Sequence, residues 1–220
     1  MGSEGRNFKV VIVGGGIAGL SLAHALTLAN INYVILERRE SIIEPSGAGV
    51  GSWPHSIPFL KQIGVYEKLD ATCTPLKYTY HLASDGSVIT YSNAYEMHKK
   101  RSVEYSFCLS RDFVLPRLQA NRPRYGETSQ MYHRTDLLRI LYEGLPNYDK
   151  KVRTGCKVDS ILQDSESATV VLEDGTKETG DIVIGTDGVH SKVREFMWEH
   201  ARRSQKSGDV EELKTSMLLI

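Results

Sequence analysis

The chain has 220 residues, which is enough for one domain and part of a second at about 100–200 residues per domain. Its 27 basic and 27 acidic side chains balance to a net charge of zero, which argues against a strongly basic nucleic-acid-binding protein. Hydrophobic residues make up 40% of the chain and charged residues 25%, a composition that excludes an intrinsically disordered protein.

The cysteines and the apolar runs bear on where the protein works. Cys73, Cys108 and Cys156 are widely spaced, with no Cys-x-x-Cys pair and no even-numbered framework, so we expect reduced thiols in an intracellular, cytoplasmic protein. No stretch approaches the roughly 18 apolar residues of a membrane helix. The run Val10–Val13 is too short for a signal peptide core. We expect residues 217–220 to begin an element that was cut off.

The first third of the chain predicts a βαβ unit. Lys9–Val13 is a short β-branched run typical of a buried parallel strand. Ile17 to about Leu28 has the apolar spacing of a helix, and Tyr33–Leu36 is the second predicted strand. Residues 44–54 are rich in Gly, Pro and Ser and are predicted as a loop, whereas Ile57–Leu69 has helical spacing.

The rest of the chain predicts further strands and helices, so that the fold class is α/β. In chain order these elements are a hairpin of Tyr78–Leu82 and Ser87–Tyr91, a helix at Asp136–Gly144, strands at Val158–Leu162, Thr169–Leu172 and Asp181–Ile184, and a helix at Ser191–Trp198. A charged tail, Glu199–Lys214, follows.

A glycine-rich turn joins the first strand to the first helix. Residues 14–19 read Gly-Gly-Gly-Ile-Ala-Gly, which fits the G-x-G-x-x-G pattern. Gly14 permits the tight turn, Gly16 lets a pyrophosphate approach the backbone, and Gly19 lets the helix pack closely on the strand. The start of the helix offers free N–H groups and a positive dipole to the phosphates. This context favours a dinucleotide site over a glycine turn without a ligand.

An acidic residue, Glu37, closes the second strand at the distance from Gly19 that is expected for a carboxylate that binds a ribose diol. Because this carboxylate repels a 2′-phosphate, the motif predicts FAD or NAD at the site and argues against NADP. Arg38 and Arg39 weaken that prediction slightly, since either could bind a phosphate.

A second strand–turn–helix segment, residues 185–194, reads Gly-Thr-Asp-Gly-Val-His-Ser-Lys-Val-Arg. It resembles the G-x-D-G-x-x-S-x-V-R motif of FAD-dependent monooxygenases of the para-hydroxybenzoate hydroxylase type. By itself Asp187-Gly188 would predict only an ordinary turn. The two motifs in this order are far more specific than either one alone.

Other segments resemble the fungal branch of this family that makes meroterpenoids and indole diterpenes. They are Glu37-Arg38-Arg39, residues 47–51 (Gly-Ala-Gly-Val-Gly), Trp53-Pro54-His55 and residues 133–138 (His-Arg-Thr-Asp-Leu-Leu). The resemblance covers nearly all of residues 8–200. It is poorer over residues 111–132, where Leu115–Gln130 has the character of an insertion.

The resemblance implies an α/β fold with a Rossmann-like GR2-type FAD-binding domain and part of a β-sheet substrate domain. The implied domains are an FAD-binding βαβ unit at residues 1–75, a partial substrate-domain sheet with the insertion at 76–133, a return to the FAD-binding domain at 134–198, and a charged tail with the expected truncation point at 199–220.

The resemblance also implies which residues bind the cofactor. They are Gly14, Gly16, Gly19, Glu37, Gly49, Gly51, Arg134 and Asp187. The loop glycines would let the backbone approach the cofactor, Arg134 would carry charge near the FAD phosphates, and Asp187 would contact FAD. No catalytic residue is assigned. The histidines lack metal-ligand spacing, so no metal site is expected, and His24 is predicted to be a packed or partly exposed residue rather than a ligand.

The implied activity is that of an FAD-dependent monooxygenase, which uses NAD(P)H and O2 to epoxidise or hydroxylate a small hydrophobic prenylated or aromatic secondary metabolite of the meroterpenoid type. Two alternatives stay open: another FAD oxidoreductase such as a prenyl reductase, and a non-catalytic nucleotide-binding fragment. Nucleic acid is not an expected partner, and membrane association is expected only in full-length relatives.

A third motif of such enzymes, a Gly-Asp pair, has no equivalent in this chain. Gly180-Asp181 and Gly208-Asp209 have the dipeptide in the wrong surroundings, because the first begins a strand and the second lies in the charged tail. We therefore expect a C-terminally truncated chain.

Overall fold

The computed structural model describes residues 8–44, 49–53, 55–73, 79–92, 130–207 and 217–219. The strands are β1 (Lys9–Val13), β2 (Asn32–Leu36), β3 (Gly49–Ser52), β4 (Thr79–Leu82), β5 (Val88–Ser92), β6 (Gln130–His133), β7 (Val152–Arg153), β8 (Val158–Gln163), β9 (Ala168–Leu172), β10 (Lys177–Gly180), β11 (Ile182–Gly185) and β12 (Met217–Leu219). The helices are α1 (Ile17–Leu28), α2 (Ile57–Gln62), α3 (Tyr66–Thr72), α4 (Arg134–Glu143), α5 (Tyr148–Lys151) and α6 (Lys192–Ser207).

The chain divides into two compact units, Met1–Ser46 with Leu137–Ile220 and Gly47–Asp136. The domain assignment at residues 1–75, 76–133, 134–198 and 199–220 stays a prediction. Among the described helices, none combines the length and the apolar character that crossing a membrane requires.

The first unit is built on a parallel sheet of five strands in the order β12-β11-β1-β2-β7. Val13 at the end of β1 lies level with Leu36 in β2 and with Gly185 in β11, so the residues that follow these three strands meet at one edge. The chain leaves β1 toward β2 and returns on the other side of β1 as β11. Such a switch point is where open α/β sheets bind ligands.

The parallel sheet shares its core with an antiparallel sheet of order β10-β9-β8. Alternate residues of β9 are buried (Ala168, Val170 and Leu172), as expected for a strand with one face turned inward. They join Val11 and Val193 in one apolar cluster. This packing anchors the central strands whose ends carry the two motifs.

The second unit contains an antiparallel pair of β3 with β6, the β4–β5 hairpin, and helices α2 and α3. Gly49 lies opposite His133 and Ser52 lies opposite Gln130. The buried Gln130 amide donates to the Asp70 carboxylate on α3. This bond ties the β3–β6 pair to a helix of its own unit.

Most predicted elements within the described residues are confirmed, including β1, α1 and the hairpin around Asp85-Gly86. The predicted single helix Ile57–Leu69 is wrong. Gly64 has a φ of +73°, and this left-handed conformation ends one helix before the next begins. The predicted loop at 44–54 is wrong in part, because β3 lies within it.

Two predictions concern the end of the chain and the insertion. The helix predicted at Ser191–Trp198 begins at Lys192 and continues to Ser207, into the charged tail. Met217–Leu219 pairs with β11 as a parallel strand at the edge of the sheet. The predicted insertion, Leu115–Gln130, lies outside the described residues except for Gln130.

Candidate nucleotide-binding site

The glycine turn after β1 is packed so closely that two of its residues have no room for a side chain. Gly14 has a φ of +112°, and a Cβ there would lie 2.6 Å from the carbonyl oxygen of Thr186. A Cβ on Gly19 would lie 2.0 Å from the carbonyl oxygen of Gly14. Both separations are far inside van der Waals contact. These contacts account for glycine at both positions and for the close approach of α1 to the turn.

Gly16 differs from these two glycines because it faces open space. No atom lies within 4 Å of a Cβ built there, and its φ of −77° suits any residue. Gly16 is also the N-cap of α1, where no described side chain makes a capping hydrogen bond and no acidic residue occupies the first turn. The first N–H groups of a helix have no partner within the helix. An anion can therefore approach the backbone here.

The carboxylate of Glu37 is fixed beside the glycine turn by two backbone N–H groups. The N–H of Gly15 donates to Oε2 at 2.6 Å, and the N–H of Arg39 donates to Oε1 at 3.0 Å. The Glu37 backbone is held in turn, because its N–H donates to the carbonyl oxygen of Arg153 on β7. Each carboxylate oxygen keeps a second lone pair, so ribose hydroxyls could still donate to Glu37.

Thr186 joins the two motifs at the edge of the sheet. Its backbone N–H donates to the carbonyl oxygen of Val13 at 2.8 Å. Its hydroxyl lies 2.8 Å from the carbonyl oxygen of Gly14 and 3.0 Å from that of Val13. Neither Thr186 nor Gly15 was among the predicted site residues. Their place within the two motifs was the sequence feature that could have indicated them. Their contacts, however, depend on which strands are neighbours in the sheet.

Asp187 is engaged with the helix that follows it. Its Oδ2 accepts the N–H of Lys192 at 2.6 Å, and its Oδ1 accepts the hydroxyl of Ser191 at 2.6 Å. The Ser191 hydroxyl oxygen accepts the N–H of Arg194 at 3.1 Å. Asp187 and Ser191 thus cap α6 in the way that short polar side chains cap helices. Contact of Asp187 with a cofactor stays a prediction.

Three predicted cofactor residues, Gly49, Gly51 and Arg134, lie together in the second unit. A Cβ on Gly49 or on Gly51 would lie 3.1 Å from the Met131 side chain on β6. Arg134 is half-buried and begins α4, one residue after His133, the partner of Gly49. The other five predicted residues, Gly14, Gly16, Gly19, Glu37 and Asp187, come together at the sheet edge of the first unit.

His24 lies on α1 and is buried, and its Nε2 donates to the carbonyl oxygen of Leu141 at 2.8 Å. Burial lowers the pKa of His24, against a smaller opposing effect of this hydrogen bond. Of the two predicted states of His24, packed or partly exposed, the structure shows the packed one. Across the described ranges, no group of three or more His, Cys, Asp and Glu side chains could hold a metal ion.

The sequence matches the FAD binding domain family over residues 7–216. It is 36% identical over 214 residues to FAD-dependent monooxygenase andE of Emericella variicolor, a match that covers 97% of this chain and 40% of that protein. It is 35% identical over 214 residues to FAD-dependent monooxygenase nvfK of Aspergillus novofumigatus, with the same coverage. The chain thus spans about 40% of the length of these relatives.

The fold is similar to that of Klebsiella pneumoniae HpxO, whose crystal structure was determined in complex with FAD and uric acid. The TM-score is 0.64 at 22% identity, over 85% of this chain and 41% of that one. This likeness confirms the predicted α/β class with a parallel-sheet FAD-binding fold. The chain belongs to the FAD binding domain family, and its cofactor is FAD.

Proposed function

We propose that this chain acts as an FAD-dependent monooxygenase, which uses NAD(P)H and O2 to epoxidise or hydroxylate a small prenylated or aromatic secondary metabolite. The family match and the fungal relatives that carry this enzyme name support the class of reaction. The resemblance of residues 47–51 and 133–138 to the meroterpenoid branch supports the substrate class.

The observation that carries the proposal is an open helix start beside a buried carboxylate. At Gly16 the backbone faces open space at the uncapped N-terminus of α1. Glu37 lies next to it, held by the N–H of Gly15. A pyrophosphate suits the first of these features and a ribose diol suits the second. These residues therefore fit the ADP portion of FAD.

Six of the eight predicted residues then have a proposed binding role, whereas Gly14 and Gly19 allow the close packing of the turn. Gly16 and the first N–H groups of α1 would hold the pyrophosphate, and Glu37 would accept the hydroxyls of the adenosine ribose. Gly49, Gly51, Arg134 and Asp187 are proposed as further FAD contacts on their resemblance to the family. When bound, FAD supplies the redox and oxygen chemistry, whereas the protein binds it, orients it and excludes water.

Binding is tested by titrating the purified chain with FAD and with FMN, which lacks the adenosine ribose. We expect Glu37→Gln to weaken FAD binding about tenfold, the equivalent of one good hydrogen bond, and to weaken FMN binding by a smaller factor, because FMN lacks the ribose that Glu37 would contact. Glu40→Gln, which alters an exposed carboxylate three residues later, is the matched control and should bind FAD like the wild type. Equal FAD affinity of the Glu37 and Glu40 variants would contradict the ribose role.

The reaction class is tested by supplying NAD(P)H, isotopically labelled O2 and a prenylated aromatic compound to the FAD-loaded protein. We expect NAD(P)H oxidation and labelled oxygen in the product, detected by mass spectrometry. A reduced product that forms without O2 would instead identify a reductase. Tight FAD binding without NAD(P)H oxidation would identify a non-catalytic binding protein.

A further inference from the structure

The peptide group between Gly14 and Gly15 is held at both of its polar ends by side chains. The carbonyl oxygen of Gly14 accepts the hydroxyl of Thr186 at 2.8 Å. The N–H of Gly15 donates to Oε2 of Glu37 at 2.6 Å. Because this carbonyl and this N–H belong to one planar peptide group, the two bonds together fix its orientation. We call Thr186 and Glu37 the peptide clamp.

The peptide clamp matters because the local sequence places few restraints on the orientation of this peptide group. With glycine on both sides, no Cβ limits rotation of the peptide group, and orientations that other residues forbid are open to it. Thr186 and Glu37 are each 8% exposed, so their hydrogen bonds are shielded from competing water. They also come from the ends of β11 and β2, the strands on either side of β1.

The hydroxyl of Thr186 acts mainly on the Gly14 carbonyl. The Val13 oxygen also lies near this hydroxyl, but it accepts the backbone N–H of Thr186 at 2.8 Å as well. Loss of the hydroxyl would therefore leave the strand contact at Val13 in place. The Gly14 carbonyl, in contrast, lies directly beneath Gly19 of α1. Its orientation thus bears on where the first turn of α1 sits.

We propose that Thr186 is a positioning residue for the cofactor. Its hydroxyl, together with Glu37, holds the Gly14–Gly15 peptide in the orientation that keeps the backbone at Gly16 open to a pyrophosphate. That the ligand is FAD rests on the proposed function. The two hydrogen bonds of the peptide clamp, in contrast, belong to the chain itself. Because both members hold one peptide group, their contributions to FAD binding are coupled.

The test compares Thr186→Val, which keeps the shape and removes the hydroxyl, with Thr186→Ser, which keeps the hydroxyl. Thr169→Val is the matched control, since its hydroxyl bonds only to that of Thr179 between β9 and β10 among the bonds described. Each variant is measured for FAD affinity, for hydrogen exchange of the Gly15 amide by NMR, and for melting temperature, which identifies any general loss of folding.

We expect Thr186→Val to weaken FAD binding about tenfold and to speed exchange of the Gly15 amide about tenfold, since one buried hydrogen bond is lost. Thr186→Ser should restore both quantities, and Thr169→Val should change neither. Combining Thr186→Val with Glu37→Gln should weaken FAD binding by less than the product of the two single effects.

The two readouts separate this proposal from the proposed function. If the wild type binds FAD, equal affinity of Thr186→Val and wild type overturns the positioning role, and a fully multiplicative double variant overturns the coupling. If the wild type does not bind FAD, the proposed function fails and the clamp is judged on Gly15 exchange alone. Faster exchange in Thr186→Val with rescue by Thr186→Ser then supports the clamp, and unchanged exchange overturns it.

Discussion

The two strand–turn–helix segments of the first unit begin alike and differ where their helices start. α1 starts at Gly16 with no described side chain capping it and no acidic residue in its first turn. α6 starts beneath the Asp187 carboxylate, which accepts the N–H groups of Lys192 and Val193. A carboxylate at a helix N-terminus does what a phosphate would do there. The start of α6 is thus satisfied by its own side chains, and that of α1 is open to an anion.

The difference shows what each motif contributes. In the first motif the informative feature is the missing Cβ atoms, because they create the tight packing at Gly19 and the open backbone at Gly16. In the second motif it is the oxygens of Asp187 and Ser191, which occupy the helix start. In this chain the first motif leaves its helix start open to an anion, whereas the second motif fills its helix start with side chains.

The largest expected effect comes from a substitution that disrupts the packing of the first motif. Gly19→Ala places a Cβ 2.0 Å from the Gly14 carbonyl oxygen and 2.8 Å from the Thr186 hydroxyl, and the strand-anchored backbone cannot yield easily. We expect the free energy of unfolding in urea to fall by about 3 kcal/mol, the upper part of the usual range for overpacking. A stability equal to the wild type would show that α1 does not pack on the turn this way.

Gly16→Ala separates binding from folding in the same motif. The added methyl group meets open space in the protein but fills the place where a pyrophosphate would approach. We expect FAD affinity to fall at least about tenfold, equivalent to about 1.4 kcal/mol, with a change in the free energy of unfolding below about 1 kcal/mol. Unchanged affinity in an FAD titration would place the pyrophosphate elsewhere.

Asp187→Ala tests the second motif, where a side chain caps the helix. Removing the acceptor of the Lys192 N–H should lower the free energy of unfolding by about 1 kcal/mol, the usual value of a helix cap. Asp187→Asn should cost less, because the amide oxygen can still accept. Asp159→Ala, at an exposed position on β8, is the control. If Asp159→Ala lowers the free energy of unfolding in urea as much as Asp187→Ala does, the capping role of Asp187 is wrong.

The smallest expected effect is the loss of stability at acid pH that comes from His24 on α1. Burial lowers the pKa of His24 below its ordinary value of 6.5, so the unfolded chain takes up a proton near that pH before the folded chain does. The contribution of neutral His24 to stability is complete above this pH and is lost as the pH falls from there toward the folded pKa. Urea unfolding from neutral pH to about pH 5.5 should show a weaker decline in His24→Gln. Equal declines would contradict the buried, neutral state of His24.

The βαβ unit and both motifs could be predicted because their signals are local. A short apolar strand, a glycine turn and a helix start lie within a few residues of one another. The β3–β6 pair could not be predicted, because Gly49–Ser52 has the composition of a loop and its partner Gln130–His133 lies far along the chain. The single helix at Ile57–Leu69 was wrong because its apolar spacing continues across Gly64, whose left-handed backbone ends α2.

Within the site, the position of Glu37 beside the glycine turn could be predicted from its place after β2, whereas the contact that Thr186 makes could not. The contact of Thr186 with Gly14 exists because β11 lies beside β1. A short sequence motif does not show which strands are neighbours in the sheet. The capping role of Asp187 and Ser191 likewise depends on where α6 begins.

The most direct test of an open α1 and a self-capped α6 is an NMR titration of the backbone amides with ADP, which carries the pyrophosphate and ribose of FAD without the flavin. We expect the largest shifts at residues 15–18 and at Glu37, with small shifts at Lys192 and Val193, whose N–H groups already bond to Asp187. Larger shifts at Lys192 and Val193 than at residues 15–18 would contradict the assignment of the phosphate site to α1.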